Sequence, residues 1–215
     1  YSVSTVANYL ASANGYNNRI KNTYWVWDNI FNYNHQFGNH YVDATFVYTR
    51  DSYTYDFRGM TGSDFSALGN STLGAYGLNY AGTQKISNTG YTRKNDVGYL
   101  WRLNYNYKDT YHLSASLRRD GSSVFGANHK WGNFPAVGLA WTMSNEKFIK
   151  DIKPISYLKV KASWGKNGNQ SLSPYQTLSK ITLGQAGGFS YPFGNLSQVS
   201  WGQRVTTMGN PDLGW

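Results

Sequence analysis

An all-β chain built from antiparallel hairpins is what this sequence predicts, and three observations carry that prediction. Tyrosine, tryptophan and glycine, at 19, 8 and 23 residues of 215, crowd out the usual helix formers. Apolar and polar residues alternate with period two over several stretches. Between those stretches lie turn sequences whose lengths bring the apolar residues of neighbouring strands onto one face.

The first strand, over about 24–37, places Trp25, Trp27, Phe31, Tyr33 and Phe37 on one face and Asp28, Asn32, Asn34 and Gln36 mainly on the other. After Gly38-Asn39 the parity switches, so that Val42, Ala44, Phe46 and Tyr48 carry the apolar face of a strand over 40–51. Phe37 then opposes His40, and Phe31 opposes Phe46. A third strand, 97–107, sets Tyr99, Trp101, Leu103, Tyr105 and Tyr107 against Leu100, Arg102, Asn104 and Asn106. With Lys108-Asp109-Thr110 as the turn, Tyr107 opposes Tyr111, and the fourth strand (111–120) continues with Leu113, Ala115 and Leu117 against His112, Ser114, Ser116 and Arg118. In the fifth (131–143), Pro135, Val137, Leu139 and Trp141 oppose the small Ala136, Gly138 and Ala140. A helical turn capped by Ser144 follows and closes at Lys153-Pro154. The sixth strand (156–166) sets Leu158, Val160, Ala162 and Trp164 against Lys159, Lys161 and Ser163, and another begins at 212–215.

These strands have one face too aromatic for water and one too polar to be buried dry. Their connections are one-sided: Gly38-Asn39, Lys108 to Thr110 and Ser144 to Pro154 at one end, against Ser52 to Asp96, Gly121 to Lys130 and Lys166 to Pro211 at the other. Short turns on one rim and long loops on the other are the pattern of a transmembrane β-barrel, with periplasmic turns and extracellular loops. The aromatics fit its two girdles, with Phe37, Tyr105, Tyr107 and Tyr111 toward the short turns and Trp25, Trp27, Tyr48, Trp101 and Trp164 toward the long loops. Arg102, His112, Arg118, Lys159 and Lys161 then face the barrel interior.

Composition narrows the chemistry. Without cysteine there is no disulfide, thiolate metal site or cysteine nucleophile. The net charge of +9 is spread along the chain, which argues against a nucleic-acid partner. His35, His40, His112 and His129 have no metal-ligand spacing, and neither a nucleophile-elbow nor a phosphate-loop motif occurs. We expect no catalytic residue, no metal and no cofactor. Two other readings fit the pattern: a complete small barrel acting as a passive pore, and a soluble aromatic-rich carbohydrate-binding β module.

One block carries more. Leu117-Arg118-Arg119-Asp120-Gly121-Ser122-Ser123-Val124-Phe125-Gly126, followed by Lys130-Trp131-Gly132-Asn133-Phe134-Pro135-Ala136-Val137, resembles the barrel signature of SusC/RagA-like TonB-dependent outer-membrane transporters. The hairpin Asn104 to Tyr111 resembles what precedes that signature. Leu158 to Gln170 resembles the strand and loop that follow it. Asn210-Pro211-Asp212-Leu213-Gly214-Trp215 is similar to the entry into the next strand, with Gly214 where a basic residue is commoner.

The resemblance implies a piece of a much larger barrel in the outer membrane of a Gram-negative bacterium, whose plug and remaining strands lie outside this chain. It implies import of an oligosaccharide or peptide, a TonB energy-transducing complex acting through the plug, and a SusD/RagB-like surface lipoprotein. Contacts to ligand or partner are expected from aromatic loop residues, Tyr53, Tyr55, Phe57, Tyr76 and Tyr80 in one loop and Phe189, Tyr191 and Trp201 in another. Asp120 to Gly126 reads as scaffold at the outer mouth, with Asp120 pairing with Arg118 or Arg119.

Overall fold

The computed structural model describes residues 14–65, 74–152, 154–183, 190–193 and 198–215, with backbone alone for 74–76, 87, 183, 190–193 and 198–201. Six long strands, β1 (Gly15–Phe37), β2 (His40–Phe65), β3 (Ala81–Tyr107), β4 (Tyr111–Ser122), β5 (Trp131–Thr142) and β6 (Lys159–Gly165), form one sheet in sequence order. Its edges are β1 and β6. Further on, β7 (Lys180–Leu183) pairs with β10 (Gln203–Thr207), and β8 (Ser190–Phe193) with β9 (Gln198–Trp201). Two compact units result, Tyr1–Trp25 with Ser52–Arg93, and Val26–Asp51 with Lys94–Trp215.

The expected registers are observed. Tyr107 lies opposite Tyr111, Tyr105 opposite Leu113, and Trp101 opposite Leu117. At the turn, Lys108 and Asp109 both adopt φ of 51°, the left-handed pair that lets a tight hairpin follow the strands' twist, and Thr110 donates its amide to Tyr107 O at 3.0 Å. Gly38 supplies the positive φ (58°) of the first hairpin, where Phe31 stacks on Phe46 at 6.1 Å.

Several bounds differ from expectation. Ser52 to Asp96 is not a loop, because β2 continues to Phe65 and β3 starts at Ala81, with the 3-10 helix η1 (Gly74–Tyr80) before it. The first strand likewise begins at Gly15 rather than near Tyr24. On β2 the reason is a change of parity: apolar residues stand at 42, 44, 46 and 48, then at 53, 55 and 57, which reads in sequence as a break in alternation. Ser144 caps nothing. It sits inside the 3-10 turn η2 (Met143–Asn145), its amide bonds Leu158 O at 3.2 Å, and the short helix α1 (Lys147–Lys150) is preceded by Glu146. Residues 212–215 form no strand, since their backbone and Trp215 are engaged elsewhere.

Among the described residues the buried apolar side chains are Leu78, Ala81, Val124 and Phe125, in a chain with 40% hydrophobic residues. A soluble sheet of this size would bury one whole face. Here Phe31, Trp101, Leu117, Val137, Leu139 and Trp164 all lie open on the aromatic face.

Candidate functional site

Alternation and register together build two surfaces in the larger unit. On the polar one, Arg102 stands opposite Ser116, Asn104 opposite Ser114, Asn106 opposite His112, and Leu100 opposite Arg118. Lys161 stands opposite Ala140, and Lys159 opposite Thr142. All five cationic or imidazole residues singled out in the sequence thus share one face. His112 Nε2 and Thr142 Oγ1 hydrogen-bond at 3.0 Å, whereas Arg102, Lys159 and Lys161 have no ion-pair partner among the described residues. Ser114, Ser116, Ala136, Gly138 and Ser163 floor a groove of about 470 Å³ beside Arg102 and Asn104. Small side chains leave backbone open there, so another polypeptide backbone or a hydrated solute can approach closely.

The aromatic surface carries two rows. Toward the short turns, His40, Tyr107, Tyr111, Trp141 and Phe148 follow one another at ring separations of 4.7, 6.3, 6.3 and 6.1 Å. Glu146 fixes that row by accepting from the Tyr111 hydroxyl and, at 3.2 Å, from Trp141 Nε1. At the other end, Trp27, Tyr48, Tyr99 and Trp131 follow at 5.9, 5.3 and 6.1 Å, with the Arg119 guanidinium 5.1 Å from the Trp131 ring. Tyr111 pairs with Trp141 and Gly121 with Trp131, so the rows lie ten positions apart on β4. At about 3.3 Å per residue that is about 33 Å of strand, or about 25 Å of height at a tilt near 40°. An outer-membrane barrel's apolar band has that height.

The signature block is a small core. Val124 and Phe125 are 1% and 2% exposed, and Trp215 packs 4.8 Å from Phe125 and 5.2 Å from Phe134. Gly126 donates its amide to Leu213 O at 2.9 Å, and Trp215 Nε1 donates to Lys130 O at 2.9 Å. Ser123 exchanges hydrogen bonds with Asn95, its amide donating to the carbonyl at 3.0 Å and its hydroxyl accepting at 2.9 Å. Asp120 accepts from Arg118 Nε at 2.7 Å, so of its two possible arginine partners it takes Arg118. These residues are occupied with one another, as the scaffold reading expects.

The aromatic loop residues divide. Tyr53, Tyr55 and Phe57 share one side of β2, where a Cβ at Gly90 would lie 3.8 Å from both the Tyr55 ring and Phe57 Cβ, and the Tyr53 hydroxyl donates to Asn22 at 3.3 Å. Tyr80 ends η1 and is 66% exposed. Tyr76 lies in η1, Tyr191 opposite Ser200 and Trp201 opposite Ser190; their side chains, and all of Phe189, lie outside the described residues. Sequence reading passed over Arg19, Lys21, Asp56 and Arg58, which enclose a cavity of about 160 Å³. The signal was present: charge alternates with aromatic residues over 55–58. No group of His, Asp or Glu suited to a metal occurs among the described residues, and no described helix is long and apolar enough to cross a membrane.

No family model matches the chain. TonB-dependent receptor P39 of Formosa agariphila is 40% identical over 114 residues, covering 53% of this chain and 10% of that protein. TonB-dependent receptor SusC of Bacteroides thetaiotaomicron is 36% identical over 107 residues, 48% of this chain and 10% of its own length. The chain is thus similar to a stretch of SusC-like TonB-dependent receptors, and its sheet has the fold of a segment of such a barrel. It spans about a tenth of the length of these relatives. Its fold is that of a solved RagAB peptide transporter, with a TM-score of 0.72 at 22% identity over 93% of this chain and 21% of that one. The open sheet agrees with a segment of such a barrel, in which other strands would flank β1 and β6. The relatives are receptors and transporters rather than enzymes.

Proposed function

We propose that this barrel segment serves an outer-membrane importer of a nutrient, an oligosaccharide or a peptide, in a Gram-negative bacterium. The observation that carries the reading is the two-faced sheet, whose aromatic rows stand apart by the height of a bilayer's apolar band. The aromatic face meets hydrocarbon, and Arg102, His112, Arg118, Lys159 and Lys161 face the barrel interior. A plug packs against the small-residue groove on that interior face and couples transport to the TonB complex. A SusD/RagB-like lipoprotein lids the extracellular end. Tyr53, Tyr55 and Phe57, with Tyr76, Tyr80, Phe189, Tyr191 and Trp201, offer aromatic faces to sugar rings or peptide side chains, or to the lid.

Spin labels on the full-length protein in liposomes test the orientation. Labels at 101 and 113 should be quenched by lipid-dissolved oxygen, and labels at 102 and 112 by a water-soluble relaxant; the reverse pattern sinks the reading. Uptake of fluorescent oligosaccharides and peptides by cells with and without TonB then tests import. Accumulation independent of TonB would overturn it.

A further inference from the structure

In the smaller unit, β1 and β2 bring Arg19, Lys21 and Arg58 around a single carboxylate, Asp56. Arg58 holds Asp56 with two bonds, Nε to Oδ1 at 3.2 Å and Nη2 to Oδ2 at 3.1 Å, while its own side chain stays 71% exposed. Arg19 and Lys21 have no ion-pair partner among the described residues. Three cations and one anion around a cavity of about 160 Å³ leave a local charge of +2. Like charges on facing strands destabilise a sheet unless an anion joins them. A phosphate supplies both the charge and the fork-shaped acceptor that a guanidinium recognises.

The occupant follows from the side of the strand. Arg19 and Lys21 share parity on β1 with Trp25, which belongs to the same unit and is 41% exposed. Trp25 in turn shares it with Trp27 of the aromatic row. Tryptophan beneath lysine and arginine is the sequence of groups met on crossing from hydrocarbon to headgroups. The opposite parity of the same stretch carries Tyr16, Ile20 and Tyr24, so the charge is confined to the side of the tryptophans.

We infer that Arg19, Lys21 and Arg58 form an outward-facing site for the phosphorylated headgroup of an outer-leaflet lipid, trimmed by Asp56. The inference rests on the orientation proposed above. It anchors the barrel vertically and gives it a preferred lipid neighbour, independent of the transported solute.

The test titrates the purified full-length protein, in neutral detergent, with the host's own phosphorylated outer-membrane glycolipid, the same glycolipid after dephosphorylation, and inorganic phosphate. Each cation near an anionic lipid surface contributes about fivefold in association, so Arg19→Gln with Lys21→Gln should weaken glycolipid binding by about 25-fold. Asp56→Asn should strengthen it several-fold, a direction that mere misfolding cannot produce. Equal binding by wild type and double variant overturns the inference, as does equal binding of the dephosphorylated glycolipid. Displacement by equimolar inorganic phosphate overturns the lipid assignment in favour of a soluble anion. A spin label at 101, read in the same samples, separates the two failures: a label in lipid with no phosphate effect removes this site alone, and a label in water removes the orientation.

Discussion

Gly126 shows how far a single residue's role depends on partners remote in sequence. A Cβ there would run into the Pro211 carbonyl oxygen, a clash no side-chain adjustment relieves, because the obstructing atom is backbone. Gly126→Ala should therefore push residues 210–215 off the loop and lower stability by about 3 kcal/mol. Phe125→Ala, which empties the same core from the other side, should cost about 3–5 kcal/mol. Thermal unfolding of the full-length protein in detergent checks both, and melting temperatures within error of wild type would refute the packing. The sequence alone showed that Asp120 to Gly126 had the composition of a turn and ended a strand. It could not show Pro211 over Gly126 or Trp215 on Phe125, since nothing local records a contact spanning that much chain. What looked like the start of a strand at 212–215 is the other half of this core.

At the scale of the strand, what was readable is what the two faces decide together. Over 40–51, 97–107 and 111–120 the apolar parity, the turn length and the register agree, so Tyr107 opposite Tyr111 and Phe31 on Phe46 followed from the residues alone. The upper parts of β2 and β3 were unreadable by the same rule. Past Tyr48 the aromatic residues change sides, to Tyr53, Tyr55 and Phe57, while Asp56 and Arg58 take the positions that continue Phe46 and Tyr48. In the orientation proposed, the strand leaves hydrocarbon there and its outward side no longer needs apolar residues, and a search for unbroken alternation registers the change as a loop. The inversion yields a paired prediction within the apolar band. Val137, opposite Ala115 and Trp164, stands between the aromatic rows on the aromatic face, so Trp164 lies within the band and not in the long-loop girdle expected of it, and Ser114, opposite Asn104 and Gly138, lies on the polar face. Val137→Lys should destabilise the assembled barrel by about 2–4 kcal/mol, the cost of a lysine at the bilayer midplane. Ser114→Lys, which escapes that lipid cost, should destabilise it less. Urea unfolding in liposomes reads both, and equal effects would contradict the assignment of faces.

The whole sheet poses a different problem from its parts, because correct strands do not make a closed structure. β1 and β6 are its edges, and every backbone amide and carbonyl on their free sides needs a partner. In water such edges invite association; in hydrocarbon each unsatisfied group costs several kcal/mol. The aromatic face adds to the imbalance, since Trp27, Phe31, Trp101, Leu139 and Trp164 stay open where a soluble domain would bury them. Neither solvent suits the 215 residues alone, whereas a full barrel satisfies both demands by supplying strands at either edge and lipid on one face. The 215-residue chain expressed by itself should consequently give no heat-modifiable band on electrophoresis and no protease-protected core after mixing with liposomes, while the full-length protein gives both. Protection of β3 to β5 in the isolated chain, at the level found in the full-length protein, would show instead that this sheet closes or self-associates into a barrel unaided. Peptide mapping of the protein recovered from outer membranes completes the experiment: fragments outside this sequence, on a chain that unfolds as one unit with it, identify the strands that β1 and β6 require.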